Sequence, residues 1–388
     1  MKYNTYLSSK NEYSLSKYHN LANQLKADGH HVINLTTGDP IERTYPEAYK
    51  AMEESLTNRK ISQYPSFKGK VSLRQSIADW AQRNHKIEFN PDTQVCSTNG
   101  SKEAVFHLAL LFDWSEGQEI WAPSLSYPVY ASSAGLFNIP FRELPVSRET
   151  NFLPDLDTIS ANDWHKCQMF WINSPHNPTS AIASKDYLQK LLKLAEQYDF
   201  LVCSDECYND IFYKDLPSSI LDFPESQNWL CIRSLSKRSH MTGFRSGALL
   251  SQNTELMKKI LLMRPALGVG TPDFIQDAAI AAWNDDQHPK QFSEEYKIKQ
   301  KIIREALESK GFEIFGGDAS FYLWFSHPQF SSSEQLMELF IEQHLVLTPG
   351  TAFGKDGEGF IRMVYCSTLN QCEEIAKRIQ SLNIKGPS

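Results

Sequence analysis

No stretch of this 388-residue sequence approaches the run of about 18 apolar residues that a membrane helix needs. Its first twenty residues hold no apolar core of the kind that marks a secretory signal. Membrane residence is therefore not expected, and a cytoplasmic location is. Cysteine is sparse: seven residues, an odd count with no C-x-x-C pair, fit a reducing compartment and not a disulfide framework. Cys203 and Cys207 bracket Asp205, but no further Cys or His stands at zinc-site spacing, so the pair reads as strand core and no metal is expected. Positive charge is outnumbered, 39 Lys and Arg against 46 Asp and Glu, and the basic residues are scattered, so no nucleic-acid-binding face is expected. Internal repeats, low-complexity runs, flexible linkers and Walker-type glycine loops are all missing. What remains is an ordinary globular composition, 41% hydrophobic and 22% charged. The length suits one large and one smaller domain, because single cores stop growing near about 250–300 residues.

The chemistry concentrates in Cys231–Leu250. An apolar strand, Trp229 to Ile232, breaks there into Ser234, Ser236 and Lys237. A lysine where a buried strand ends loses hydration; its pKa falls and its amine becomes a nucleophile. Eight positions on stands Arg245, between Gly243 and Gly247, which allow close backbone approach. Hydroxyls, an amine, a guanidinium and glycines together suit a phosphate beside an aldehyde. The stretch resembles the S-x-S-K-x(7)-R signature of fold-type I pyridoxal-phosphate enzymes, the aspartate aminotransferase superfamily. The resemblance implies pyridoxal 5'-phosphate as cofactor and Lys237 as its Schiff-base lysine and catalytic residue. It makes Ser234 and Arg245 phosphate ligands, with Ser236 in the same cofactor set.

Further strings agree with that family in order and spacing. An amphipathic helix through Tyr18, Leu21, Ala22 and Leu25 ends at Gly29, and a strand at His31–Leu35 runs into Thr37-Gly38-Asp39-Pro40. This loop resembles the one whose glycine, here Gly38, lies against the substrate carboxylate. Tyr64, followed by Gly69 and a helix with Leu73, Arg74, Ile77 and Trp80, is similar to the tyrosine that reaches a partner subunit's phosphate, which implies a homodimer. Thr98–Ala104 opens a helix, where free N–H groups and the helix dipole favour an anion; by resemblance Gly100, Ser101 and Lys102 form the phosphate cup. After a strand at Glu119–Ala122, the segment Pro123–Tyr130 sets an aromatic beyond a strand's carboxyl end, and the resemblance stacks Tyr127 on the pyridine ring.

Asn173–Ser180 resembles N-P-x-N-P-T-G, with Ser174 and Ser180 in place of the usual proline and glycine, and implies Asn177 at the ring hydroxyl and near the substrate carboxylate. Phe200–Glu206 reads as a buried parallel strand ending in a carboxylate that needs a cation. The family supplies a pyridinium: Asp205 keeps the ring nitrogen protonated, and Tyr208 bonds the ring hydroxyl. From about residue 285 a long helix around Ile298, Ile302, Ala306 and Leu307 is closed by Gly311, with strand signals at Phe312–Phe315 and Phe321–Phe325. Arg362, a lone arginine among apolar residues, wants a bidentate carboxylate, and is the candidate for the substrate's α-carboxylate.

The expected fold is α/β: the pyridoxal-phosphate transferase fold type I, a large domain with a mostly parallel seven-stranded sheet and a smaller α+β C-terminal domain. The expected divisions are residues 1–45 as N-terminal arm and part of the small domain, 46–284 as the large domain and 285–388 as the small one. The expected activity is amino transfer between an amino acid and a 2-oxo acid, with 2-oxoglutarate and glutamate as one pair. S-L-S-K-R-S-x-x-x-G-x-R-S-G, together with Ala281–Asp285, looks most like bacterial N-succinyldiaminopimelate aminotransferases of lysine biosynthesis. That subgroup needs a second cation for a distal carboxylate, for which Arg43, Lys68 and Arg238 are the candidates. The alternatives are an aminotransferase for an aromatic or neutral amino acid, and a C–S β-lyase, suggested by the Pro175-His176-Asn177-Pro178 string although Thr179 departs from it.

Overall fold

The computed structural model describes residues 1–8 and 16–384. Its strands are β1 (Ile33–Asn34), β2 (Val95–Thr98), β3 (Glu119–Pro123), β4 (Phe141–Leu144), β5 (Cys167–Asn173), β6 (Leu201–Asp205), β7 (Trp229–Ser234), β8 (Gly247–Leu250), β9 (Glu313–Phe315), β10 (Tyr322–Ser326), β11 (Leu345–Val346), β12 (Thr348–Pro349) and β13 (Phe360–Val364). Seven of them form one sheet in the order β2-β8-β7-β6-β5-β3-β4. Only β8 runs against its neighbours. Every residue of β2, β6, β7 and β8 is buried, as a sheet covered on both faces requires. One apolar cluster, through Leu73, Ile77, Trp80, Leu188 and Trp283, covers one face; another, through Val105, Leu108, Tyr130 and Ile260, covers the other.

The parallel strands β2, β3, β5, β6 and β7 bring their carboxyl ends to one edge. Register sets Asn173 opposite Asp205 and Ser234 opposite Gly247. In open α/β sheets this is the edge where ligands bind.

A second, antiparallel sheet has the order β12-β13-β10-β9, and β1 pairs in parallel with β11. The chain's beginning thus joins its end: Ala22, Val32, Ile33 and Leu35 share an apolar cluster with Ile303, Phe340 and Ile379. The long helix His288–Ser309 is present as expected, with Ala306 and Leu307 buried and Ile302 against the core, but Ile298 departs from the expected stripe. Ile298 is exposed at 55%, whereas Tyr296, Lys299, Gln300, Ile303, Ala306 and Leu307 are buried. Two polar residues draw that face inward, Lys299 by pairing with Glu42 and Gln300 by donating to the Tyr365 hydroxyl at 3.2 Å. No helix among the described residues is long and apolar enough to cross a membrane, and none of those residues forms a metal-binding group of His, Cys, Asp and Glu.

Candidate active site

At the carboxyl edge of the large sheet lies a cavity of about 520 Å³. Lys237, Asp205, Asn177, Tyr208, Tyr127, Ser101, Lys102, Ser234, Ser236, Arg245, Gly38 and Arg362, drawn from separate segments of the chain, all line it. Of the site residues expected from sequence, Gly100 and Tyr64 are not in its lining. Gly100 stands directly behind it: with φ at 77°, a Cβ there would lie 2.4 Å from Arg245 Nη2, so only glycine lets the guanidinium sit close.

β7 ends in a short turn, Leu235–Arg238, capped by the Ser234 hydroxyl, which accepts the Ser236 N–H at 3.1 Å. This turn sets Lys237 over the strand end, where Nζ donates to the Gly38 carbonyl. Burial pushes the amine's pKa below the ordinary lysine value and Arg245 adds to the fall, while Cys366, Asp39 and Cys207 pull it back up. An amine so placed is readily freed of its proton and can attack an aldehyde. Gly38 is fixed in turn, since a Cβ on it would lie 2.3 Å from the Tyr322 hydroxyl. That hydroxyl shares a 2.6 Å hydrogen bond with the Tyr208 hydroxyl.

Asp205 closes β6 with its carboxylate buried, and burial raises its pKa. Tyr130 donates to Oδ2 at 2.8 Å and the Cys207 N–H to Oδ1 at 3.3 Å. No ion pair joins it to a Lys, Arg or His among the described residues, although an uncompensated buried carboxylate costs several kcal/mol. A cationic ring nitrogen answers that need. With an amine at the opposite wall and Ser101, Lys102, Ser234 and Arg245 at the phosphate end, the residues fit a pyridine aldehyde bearing a phosphate.

On the other side, Arg362 donates to Asn177 Oδ1 at 2.8 Å and to the Thr36 carbonyl. Asn177 is held by its own N–H, which donates to Asn173 Oδ1 at 2.7 Å, while Asn173 Nδ2 donates to the Asp205 carbonyl at 2.6 Å. The loop after β5 is thereby tied to the end of β6. His176 is a tie as well. Its Nε2–H donates to the Leu125 carbonyl at 3.0 Å and its Nδ1 accepts the Thr179 hydroxyl at 2.7 Å, with burial pushing the imidazole down to about 4.

Sequence reasoning passed over Tyr130, Asn173, Tyr322 and Thr36. Signals existed for two of them: Tyr130 falls one helical turn after Tyr127, and Asn173 opens the string that contains Asn177. The distal-cation candidates require correction. Arg238 is buried beneath the turn, donating to the carbonyls of Ala282 and Asp285 at 2.7 and 2.9 Å. Lys68 is taken up by Asp92, and Arg43 is exposed; none of the three lines the cavity. Tyr64 is 98% exposed and lies outside the cavity of its own chain.

The family described as aminotransferase class I and II matches residues 30–379. The LL-diaminopimelate aminotransferase of Aquifex aeolicus is 35% identical over 357 residues, which cover 91% of this chain and 92% of that protein. The protein of the same name from Maridesulfovibrio salexigens is 32% identical over 375 residues, 95% of this chain and 96% of its own. Among solved structures, apo BacF from Bacillus subtilis superposes with a TM-score of 0.91 at 25% identity over 100% of both chains. A probable N-succinyldiaminopimelate aminotransferase from Thermus thermophilus gives 0.87 at 22% identity over 95% of this chain and 99% of its own, a likeness of fold.

Proposed function

The chain belongs to the aminotransferase class I and II family, and we propose that it moves the amino group of an extended, polar-ended 2-amino acid of the diaminopimelate class onto 2-oxoglutarate. The family is pyridoxal-phosphate-dependent, and the bound cofactor supplies an aldehyde for amines and an electron-withdrawing ring for the charge left at Cα. Lys237 is the covalent anchor, and its Nζ is the base that takes the donor's Cα proton and returns it on the acceptor side. With the cofactor bound, Asp205 would hold the ring nitrogen, Tyr127 would stack on the ring, and Tyr208 and Asn177 would bond the ring hydroxyl. Ser234, Ser236, Arg245 and the Gly100–Lys102 turn take the phosphate, and Arg362, with Gly38 beside it, takes the α-carboxylate. A second copy of the chain completes the site, its Tyr64 reaching the neighbour's phosphate.

The observation that carries the substrate class is the set of polar side chains in the cavity lining. There Ser16, His19, Asn20, Thr36, Thr37 and Asp39 face the cavity, and Val105 is the single aliphatic side chain among its described lining residues. Among these groups Asp39 carries a negative charge that suits the far ammonium of free diaminopimelate. An N-succinyl donor lacks that ammonium and brings a further carboxylate, for which the described lining residues offer no lysine or arginine beyond those already assigned. The named activity of the relatives above supports the free diamino acid over the N-succinyl derivative. The lyase alternative loses its motive, because His176 is occupied in holding two loops together.

The test is a donor panel with 2-oxoglutarate as acceptor. LL-diaminopimelate is expected to exceed phenylalanine and leucine in kcat/KM by about a hundredfold or more, since a polar wall left unpaired discriminates strongly. Comparable values for phenylalanine would overturn the substrate class and leave the amino-transfer chemistry standing.

A further inference from the structure

Tyr130 has no role in the reading above, yet its hydroxyl donates to Asp205. The phenol is 1% exposed and the carboxylate 7%, and the hydroxyl meets Oδ2 at 2.8 Å. We propose that Tyr130 is a positioning residue for amino transfer: it fixes the orientation of the Asp205 carboxylate and favours its ionised form, so that Asp205 holds positive charge on the cofactor's ring nitrogen. The inference rests on the reading of Asp205 as the ring-nitrogen partner.

Three features carry it. The Tyr130 ring lies flat against Trp171, centroids 4.5 Å apart and planes at 9°, so the hydroxyl has no freedom to swing away. Burial and the adjacent carboxylate raise the phenol well above its ordinary pKa, which keeps it a donor across the working pH range. The carboxylate needs that donor, because burial pushes its pKa up and the neighbouring Glu206 pushes the same way. Against them stand the Tyr130 hydroxyl and the N–H and thiol of Cys207, while Lys237 and Tyr208 face Asp205 from the other walls of the cavity. A hydrogen bond donated to an anion stabilises it over the neutral acid.

Tyr127, one helical turn earlier, meets Tyr130 edge-on at 5.9 Å and 85°. A single turn therefore couples the residue assigned to the ring face with the residue that holds the ring-nitrogen partner. A purely packing role for Tyr130 would need the ring and not the hydroxyl, and phenylalanine separates the two.

The experiment compares the wild-type holoenzyme with Tyr130→Phe, Asp205→Asn and the double variant. Three quantities are read: kcat and KM, the pH titration of the cofactor's visible absorption, and the cofactor dissociation constant. Tyr130→Phe is expected to lower kcat about ten- to hundredfold with KM within about twofold. It should shift the spectral titration and loosen the cofactor several-fold, while the thermal midpoint stays near wild type because the stack on Trp171 remains. In the Asp205→Asn background the same change should cost less than about twofold, since the hydroxyl acts through the carboxylate. An unchanged titration and kcat in Tyr130→Phe, or an equal loss in both backgrounds, overturns the proposal. If Asp205→Asn itself leaves spectrum and kcat unchanged, the premise about Asp205 fails and the role of Tyr130 with it.

Discussion

Arg362 shows how much a single side chain depends on its setting. Hydrogen bonds to the Asn177 amide oxygen and the Thr36 carbonyl fix the direction of its guanidinium fork, which the proposed function gives to the substrate's α-carboxylate. Lysine keeps the charge and loses the fork, so Arg362→Lys is expected to lower kcat/KM for amino acids about a hundredfold, mainly through KM. Steady-state kinetics with an unaltered KM would contradict the assignment. Ser180 stands where the family's pattern carries glycine, and its φ of 58° explains the glycine. Its hydroxyl donates to the Tyr322 carbonyl at 2.9 Å and lies 2.7 Å from the Ser320 hydroxyl, which offsets a strain of about 1 kcal/mol. Ser180→Ala keeps the strain and loses the bonds, and should destabilise by about 1–2 kcal/mol in urea titration; no loss would mean that the bonds contribute nothing. Residues such as Lys237, Asp205 and Asn177 were legible in sequence because each sits in a short string at a strand's end. Tyr130, Tyr322 and Thr36 were not, because they act on groups far away in the chain that meet only once the sheet has formed.

At the scale of elements, adjacent residues at the strand ends and in the turn after β7 fall into two functions. Asp205, Ser234 and Lys237 line the cavity, while the residues beside them, Glu206, Arg233 and Arg238, point into a buried ionic network. Arg233 meets Glu206 at 2.6 Å and Asp210 at 3.5 Å; Arg238 meets Asp210 at 3.4 Å and Asp286 at 3.3 Å. Glu206 also accepts the Ser219 hydroxyl at 2.6 Å and the Ile220 N–H at 2.7 Å. Breaking such a pair strands a charge, so Glu206→Gln is expected to cost about 3–5 kcal/mol of stability. A chemical-denaturation loss under about 1 kcal/mol would show that the network is not needed. Strands β3, β6 and β7 were read from sequence to within two residues, because buried parallel strands are apolar runs with abrupt polar ends, whereas β2, β4 and β8, four residues each, were not read. On the helix His288–Ser309 one position was misread, Ile298, since periodicity scores it as core and cannot know that Glu42 claims Lys299.

Taken whole, the molecule should lose stability as pH falls through the range of its buried histidines. His176 and His240 are pushed down to about 4 and His288 to about 3, each by burial. Unfolded histidines titrate near about 6.5, so below that pH the unfolded chain binds protons that the folded one refuses. The stability these three contribute is complete above about 6.5 and is lost between there and about 4 for His176 and His240 and about 3 for His288. Urea midpoints should be lower at pH 5 than at pH 7.5, and equal midpoints would contradict neutral burial. The large sheet and the antiparallel C-terminal sheet follow from contiguous strings, whereas the pairing of β1 with β11 joins segments some 300 residues apart that no local pattern links. The central claim is that Lys237 is the lysine that binds the cofactor's aldehyde. Borohydride reduction of the holoenzyme, followed by peptide mass mapping, tests it most directly. One pyridoxyl-phosphate adduct is expected, on the peptide containing Lys237, and none in Lys237→Ala; an adduct on another lysine, or one that survives in that variant, would contradict the assignment.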